Sequence, residues 1–236
     1  MNIPQKKNPQ RFRKAFTMVE MLVSISIIVV LATIGFLSMR KAKEAAGAAV
    51  DATEMRAITS AVVMFASDNN DLLPTTSGGI SPSYRKGARD LKMALYPYFG
   101  YENPQESDFM PEFAAASWQS VTSATDGFGP SLLMIDRVYT GAGKPSSPNK
   151  PDPYIQPFGY PYGNGQRAPM TLSTTMAKMT DSAASLMLIE IDQLVPGLGK
   201  PGWISSVPEK MAHGTYRLGL YWDGHVGRLN VDLEPM

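Results

Sequence analysis

Two hydrophobic regimes follow one another along the first seventy residues. From Phe16 to Met39 the run FTMVEMLVSISIIVVLATIGFLSM is apolar on every side, with Glu20 its one charge. From Ala45 the apolar positions narrow to a stripe, Ala45, Ala48, Ala52, Met55, Ile58, Val62 and Phe65, at helical spacings of three and four. Lys43, Glu44, Asp51, Glu54 and Arg56 are assigned to the opposite, polar side. No proline lies between Gln10 and Leu73, and the turn-favouring Asp68-Asn69-Asn70 precedes Pro74. The pattern predicts one helix from Phe16 to about Ser67. At ~1.5 Å per residue it would be roughly 78 Å long.

Beyond it the pattern fragments. Residues 74 to 169 hold 13 of the 19 prolines, which leaves little room for long regular elements. Ala88–Phe99 reads as a short helix with Leu91 and Leu95 on one face, and Leu132–Tyr139 as a strand. The stretch 143–169 reads as a Pro/aromatic loop with an edge strand near Phe158–Tyr162. The last fifty residues are clearer. Ser185–Ile191 reads as a strand, and Tyr216–Trp222 and His225–Val231 flank Asp223-Gly224, which favours a two-residue type I′ hairpin. Three antiparallel strands packed on the long helix give an α+β fold, with a loop-rich middle between helix and sheet.

Composition narrows the function. The chain has 236 residues, 44% of them hydrophobic, enough to bury a core. The absence of cysteine excludes a disulfide scaffold, a thiolate zinc site and a cysteine nucleophile. Net charge is +1, which argues against a broad nucleic-acid surface. That balance hides an asymmetry: Lys6, Lys7, Arg11, Arg13 and Lys14 precede Ala15 with no acidic residue, leaving 17 basic and 21 acidic side chains in the rest. A basic head before a long apolar helix reads as a membrane segment with its N-terminus cytoplasmic and its body exported. The 24-residue run Phe16–Met39 spans roughly 36 Å, sufficient for a bilayer core of about 30 Å. Arg40, Lys41 and Lys43 follow directly, unlike the small-residue cleavage site of a secretory signal.

Glu20 is the residue a plain anchor does not explain, because a carboxylate inside an apolar run is costly unless it lies at the interface or meets a partner. Lys14-Ala15-Phe16-Thr17-Met18-Val19-Glu20 closely resembles the cleavage and methylation site of type IV prepilins and type II secretion pseudopilins. The resemblance implies cleavage between Ala15 and Phe16 and N-methylation of the new terminal Phe16. It also implies a pilin-like fold and a role for Glu20 in neutralising the terminal amine of a neighbouring subunit. Ala15 stands where the family usually has glycine. Nine residues separate His213 from Asp223-Gly224, an arrangement that resembles the C-terminal H-x9-DG signature of a large group of pseudopilin-like proteins.

His213, His225, Glu190, Asp192 and Asp223 are types suited to metal binding or acid–base work. A structural role is expected for them first, with Asp223 explained by the turn; a metal is the alternative. No cofactor is expected, although calcium occurs in related pseudopilins; no EF-hand-like loop is present. Phosphate-binding glycine loops, G-x-S-x-G and HExxH are absent, so no enzymatic activity is expected. The expected organisation is a cleaved basic leader over 1–15, a transmembrane half-helix over 16–39, an amphipathic half over 40–70 and a periplasmic domain over 71–236. The expected function is that of a structural subunit of a type II secretion pseudopilus or related filament. Its partners would be copies of itself or other pilin-like subunits, a prepilin peptidase, inner-membrane lipid, and an assembly platform with its ATPase motor. The competing reading is a singly anchored periplasmic binding module that never enters a filament.

Overall fold

The computed structural model describes residues 17–75, 91–105, 110–113, 115, 117, 132–135, 137–140, 154–159, 167–195 and 208–230. The leader and the Ala15–Phe16 junction lie outside them, as do 160–162 of the expected edge strand. Helix α1 covers Met18–Asp68, 51 residues, close to the predicted span. The chain divides into two units at Lys43/Glu44, inside this helix.

In the first unit, α1 is one helix long and apolar enough to cross a membrane. Leu22, Ile25, Ile28, Val29, Ile34 and Phe36 are all more than half exposed. Each such side chain left in water forgoes about 1.5–3 kcal/mol of burial, so this surface requires lipid or apolar neighbours. Its hydroxyls are turned inward: Ser24, Ser26, Thr33 and Ser38 donate to the carbonyls of Glu20, Leu22, Val29 and Ile34, one turn back, at 2.7 to 2.9 Å.

In the second unit, the rest of α1 carries the core stripe. Ala48, Met55, Ile58, Ala61, Val62 and Ala66 are buried, Ala52 and Phe65 partly so, while Ala45 is exposed. Asp51 departs from expectation: it is 1% exposed and lies on the buried side, not the polar one. The reason is its spacing. Ala48, Asp51, Met55, Ile58 and Val62 follow one another at three, four, three and four residues, which is the stripe itself. At its C-terminal end the helix closes through Asp71 N to Ala66 O at 2.7 Å, with Asn70 and Asp71 at φ +53 and +66. Asn and Asp tolerate this left-handed geometry better than most residues.

The predicted Ala88–Phe99 helix is seen as α2, Leu91–Leu95, continued by a 3₁₀ turn over Tyr96–Phe99, where Pro97 cannot supply an amide for further α-helix. Leu132–Tyr139 is two strands: β1 (Leu132–Met134) and β2 (Val138–Tyr139). They belong to different sheets. Within the stretch 143–169 the described strand is β3, Tyr154–Ile155, ahead of the expected Phe158–Tyr162 and paired with β2. Phe158 and Gly159 lie in the turn that follows, with Gly159 N donating to Gln156 O at 3.0 Å. Helix α3, Leu172–Lys178, is capped by the Thr171 hydroxyl and held to the end of α1 by bonds from Leu172 N to Asp71 O and from Ser173 Oγ to Asp71 Oδ2.

The main sheet adds β4 (Leu186–Glu190), β5 (Tyr216–Tyr221) and β6 (Val226–Asn230) to β1, in the antiparallel order β1-β4-β5-β6. One more strand joins it than the three predicted. Leu188, Leu218 and Leu220 pack in one cluster with Met55, Ile58 and Val62 of α1. Ile189, Leu133 and Leu229 form a second cluster with Ile191 and Val195. The architecture is the α+β arrangement expected and is consistent with a pilin-like fold. The β5–β6 turn differs from the type I′ prediction. Gly224 N bonds Tyr221 O at 2.9 Å and Tyr221 N bonds His225 O at 3.0 Å, enclosing the three residues Trp222–Gly224. Gly224 has φ +85 while Asp223 is not left-handed, so this is a three-residue loop with one glycine bulge.

Candidate functional site

Among the described residues two places carry chemistry, one in each unit. At the start of α1, Thr17 and Glu20 form a reciprocal capping box. Glu20 Oε2 accepts from Thr17 N at 2.8 Å and from its hydroxyl at 2.9 Å, and Glu20 N donates back to Thr17 Oγ1 at 3.2 Å. Thr-x-x-Glu ahead of an apolar run is itself a readable sequence pattern for such a box. The box uses one carboxylate oxygen; Oε1 takes no hydrogen bond from the described residues. Glu20 is exposed.

The second place is built from three distant pieces of sequence. Helical spacing puts Asp51 among the core residues of α1. Glu190 is the last residue of β4, and His213 sits in the turn before β5. His213 Nε2 lies 2.9 Å from Glu190 Oε1 and 3.4 Å from Asp51 Oδ2. All three side chains are 5% exposed or less. The carboxylates are oriented from outside: Leu218 N donates to Glu190 Oε2 at 2.7 Å, and Ser117 N to the Asp51 oxygens at 3.2 and 3.3 Å. The imidazole stacks on Tyr216, ring centres 5.0 Å apart, and Arg228 lies over the same tyrosine ring.

Electrostatics couple the three. Burial works against a charged His213, but the hydrogen bonds and charges of Asp51 and Glu190 outweigh it and push its pKa up to about 9. Burial raises the Glu190 carboxyl, while His213 and the Leu218 amide act in the opposite direction.

The other candidates fall elsewhere. Asp192 is held by Arg217, whose Nε and Nη2 donate to its two oxygens at 2.6 and 2.8 Å, and it also accepts from Leu194 N. This is a buried fork-to-fork pair. His225 lies on the exposed hairpin turn, its Nδ1 2.6 Å from Asp223 Oδ1 and its ring stacked on Tyr221. Asp223 also accepts from His225 N at 3.1 Å. Of the four metal candidates Glu190, Asp192, His213 and His225, the fold brings together Glu190 and His213 and separates the other two. It adds Asp51, which was passed over as a polar-face residue. An acidic side chain interrupting an apolar stripe was the available signal.

Residues 10–36 match the family model described as the prokaryotic N-terminal methylation motif. No curated protein and no solved structure matches the chain. The matched segment contains Ala15, Phe16 and Glu20 and ends inside the apolar half of α1. Together with the candidate membrane helix among the described residues and the α+β body, the match supports a membrane-anchored, type IV pilin-like protein.

Proposed function

We propose that the chain is a structural subunit of a type II secretion pseudopilus or related type IV pilus-like filament, assembled from the inner membrane. The observation that carries this reading is the methylation motif over 10–36 in register with Glu20 on an exposed apolar helix. The leader stays cytoplasmic by its five basic residues, and the unit after Lys43 is exported to the periplasm. A peptidase removes residues 1–15 and methylates Phe16. The subunit then leaves the bilayer for a helical polymer in which its apolar half-helix packs against others, driven by a separate ATPase on the assembly platform. In that packing Glu20 pairs with the Phe16 amine of a neighbour, which offsets the cost of a carboxylate in an apolar setting. Function then resides in helix packing and this charge pair rather than in catalysis.

The intact mass and N-terminal peptide of the protein extracted from its native membrane test this reading. A chain beginning at Phe16 and one methyl heavier is expected. A chain retaining Met1 to Ala15 in a cell with active prepilin peptidase would overturn it in favour of an anchored periplasmic module.

A further inference from the structure

We propose that Asp51, Glu190 and His213 bind one divalent transition-metal ion of the zinc type, which fastens α1 to the C-terminal sheet.

The geometry supplies the donor set. One nitrogen and two carboxylate oxygens, from helix, strand and turn, lie within 4.8 Å of one another, all three residues buried. Two features set this cluster apart from an ordinary buried ion pair. The first is a shortage of hydrogen. His213 Nε2 carries at most one proton, yet it faces oxygens of two carboxylates, at 2.9 and 3.4 Å. A single N–H cannot be well aligned on both, whereas a cation placed among the three satisfies all of them. The second is charge. Two carboxylates and one imidazolium leave a net negative charge in the interior, where an uncompensated ion costs several kcal/mol. A divalent ion with a neutral imidazole brings the sum to zero.

The surroundings match those of a metal site. The oxygens of Glu190 and Asp51 also accept from the backbone amides of Leu218 and Ser117, the outer-shell bonds that aim ligating carboxylates. Imidazole nitrogen with carboxylate oxygen suits zinc and its neighbours; calcium prefers six to eight oxygens. Three protein ligands leave the fourth place of a tetrahedral ion to solvent. A chain without cysteine has no disulfide with which to join distant segments, and this cluster joins residues 51, 190 and 213. The site stands whether or not the chain polymerises.

The test uses the tag-free full chain in detergent, stripped with chelator, its histidine rings isotopically labelled. With two histidines in the chain, nuclear magnetic resonance observed at the ring Cε1–H yields two signals. Titration with zinc chloride should shift one of them saturably at one ion per chain. The same signal should shift in His225→Ala, which identifies it as His213. Excess calcium should not reproduce the shift. Asp51→Asn should weaken the zinc response by about 100-fold or more. Two results would overturn the proposal: no shift of either signal up to about 1 mM zinc, or a shifting signal that vanishes in His225→Ala. A folded Asp51→Asn that binds zinc as tightly as the parent would do so as well. If Asp51→Asn does not fold, Glu190→Gln takes its place under the same criterion, and the two-signal titration of the parent chain decides without either.

Discussion

Asp51 Oδ2 on α1 and His213 Nε2 ahead of β5 lie 3.4 Å apart, both almost wholly removed from solvent. An imidazole taken out of this set leaves two buried carboxylates facing each other with no cation between them, which costs about 3–5 kcal/mol. His213→Ala in the metal-free chain is therefore expected to lower unfolding stability by about that much, read by denaturant or thermal melting. Lys178→Ala on α3, where the side chain is exposed, should stay within about 0.5 kcal/mol. Equal effects from the two would show that the His213 contacts hold nothing.

The same set gives the metal-free chain a definite pH response. His213 titrates near 6.5 when unfolded and is pushed up to about 9 in the fold, so the folded state binds the extra proton. Its contribution is complete below about pH 6.5 and is lost as pH rises through about 9. Glu190, also raised, acts with the same sign. Chelator-treated protein should thus melt progressively lower across that alkaline interval. A melting temperature flat over the interval would contradict the coupling.

Thr17 and Glu20 allow capping to be separated from assembly. Thr17→Ala removes the cap but keeps the carboxylate, costing the helix start about 1 kcal/mol. Under the proposed function, Thr17→Ala should still enter filaments, whereas Glu20→Ala should insert in the membrane and fail to assemble. Fractionation followed by electron microscopy of sheared filaments reads both. Normal filaments from Glu20→Ala would remove the assembly role of that carboxylate.

Gly159 offers a test of the middle of the chain. Its φ is +75, and an added Cβ would stand 2.6 Å from Arg167 O and 2.9 Å from Pro169 N, both backbone atoms. A left-handed conformation costs a non-glycine residue about 1–2 kcal/mol before any clash. Gly159→Ala should therefore destabilise by at least about 2 kcal/mol. Gly100→Ala, at a similar φ with nothing within 4 Å, should show only the conformational part. If the two variants melt alike, the turn after β3 is not packed as described.

Much of the fold could be read from residue order alone because local rules and tertiary packing agree there. Helix α1 lacks a breaker until Asp68-Asn69-Asn70 and ends at Asp68; the C-terminal strands fall within two residues of their apolar runs. Where pairing is decided at a distance, local pattern failed. In Leu132–Tyr139 the charged pair Asp136-Arg137 interrupts the apolar positions, yet residue order does not tell that Met134 and Val138 join different sheets, since their partners, Leu188 and Ile155, lie far along the chain. Asp223-Gly224 announced a hairpin but not its length, because Trp222 joined the loop. In the site, His213 and Glu190 were visible as residue types. Asp51 carries a charge, which by itself points to the solvent face, whereas its spacing from Ala48 and Met55 places it inward.

The inward-turned hydroxyls of Ser24, Ser26, Thr33 and Ser38 have a consequence for how apolar helices of this kind would recognise one another. With those donors committed to their own backbone, the cylinder from Met21 to Met39 presents neighbours with a smooth hydrocarbon surface and no polar pegs. Ridges and grooves of hydrocarbon can still mesh between such helices, but in several nearly equivalent registers. In a polymer of them, the carboxylate at Glu20 would be the one charged mark on this half-helix able to single out an axial step between successive copies. One side chain would act as the ratchet tooth for the whole assembly.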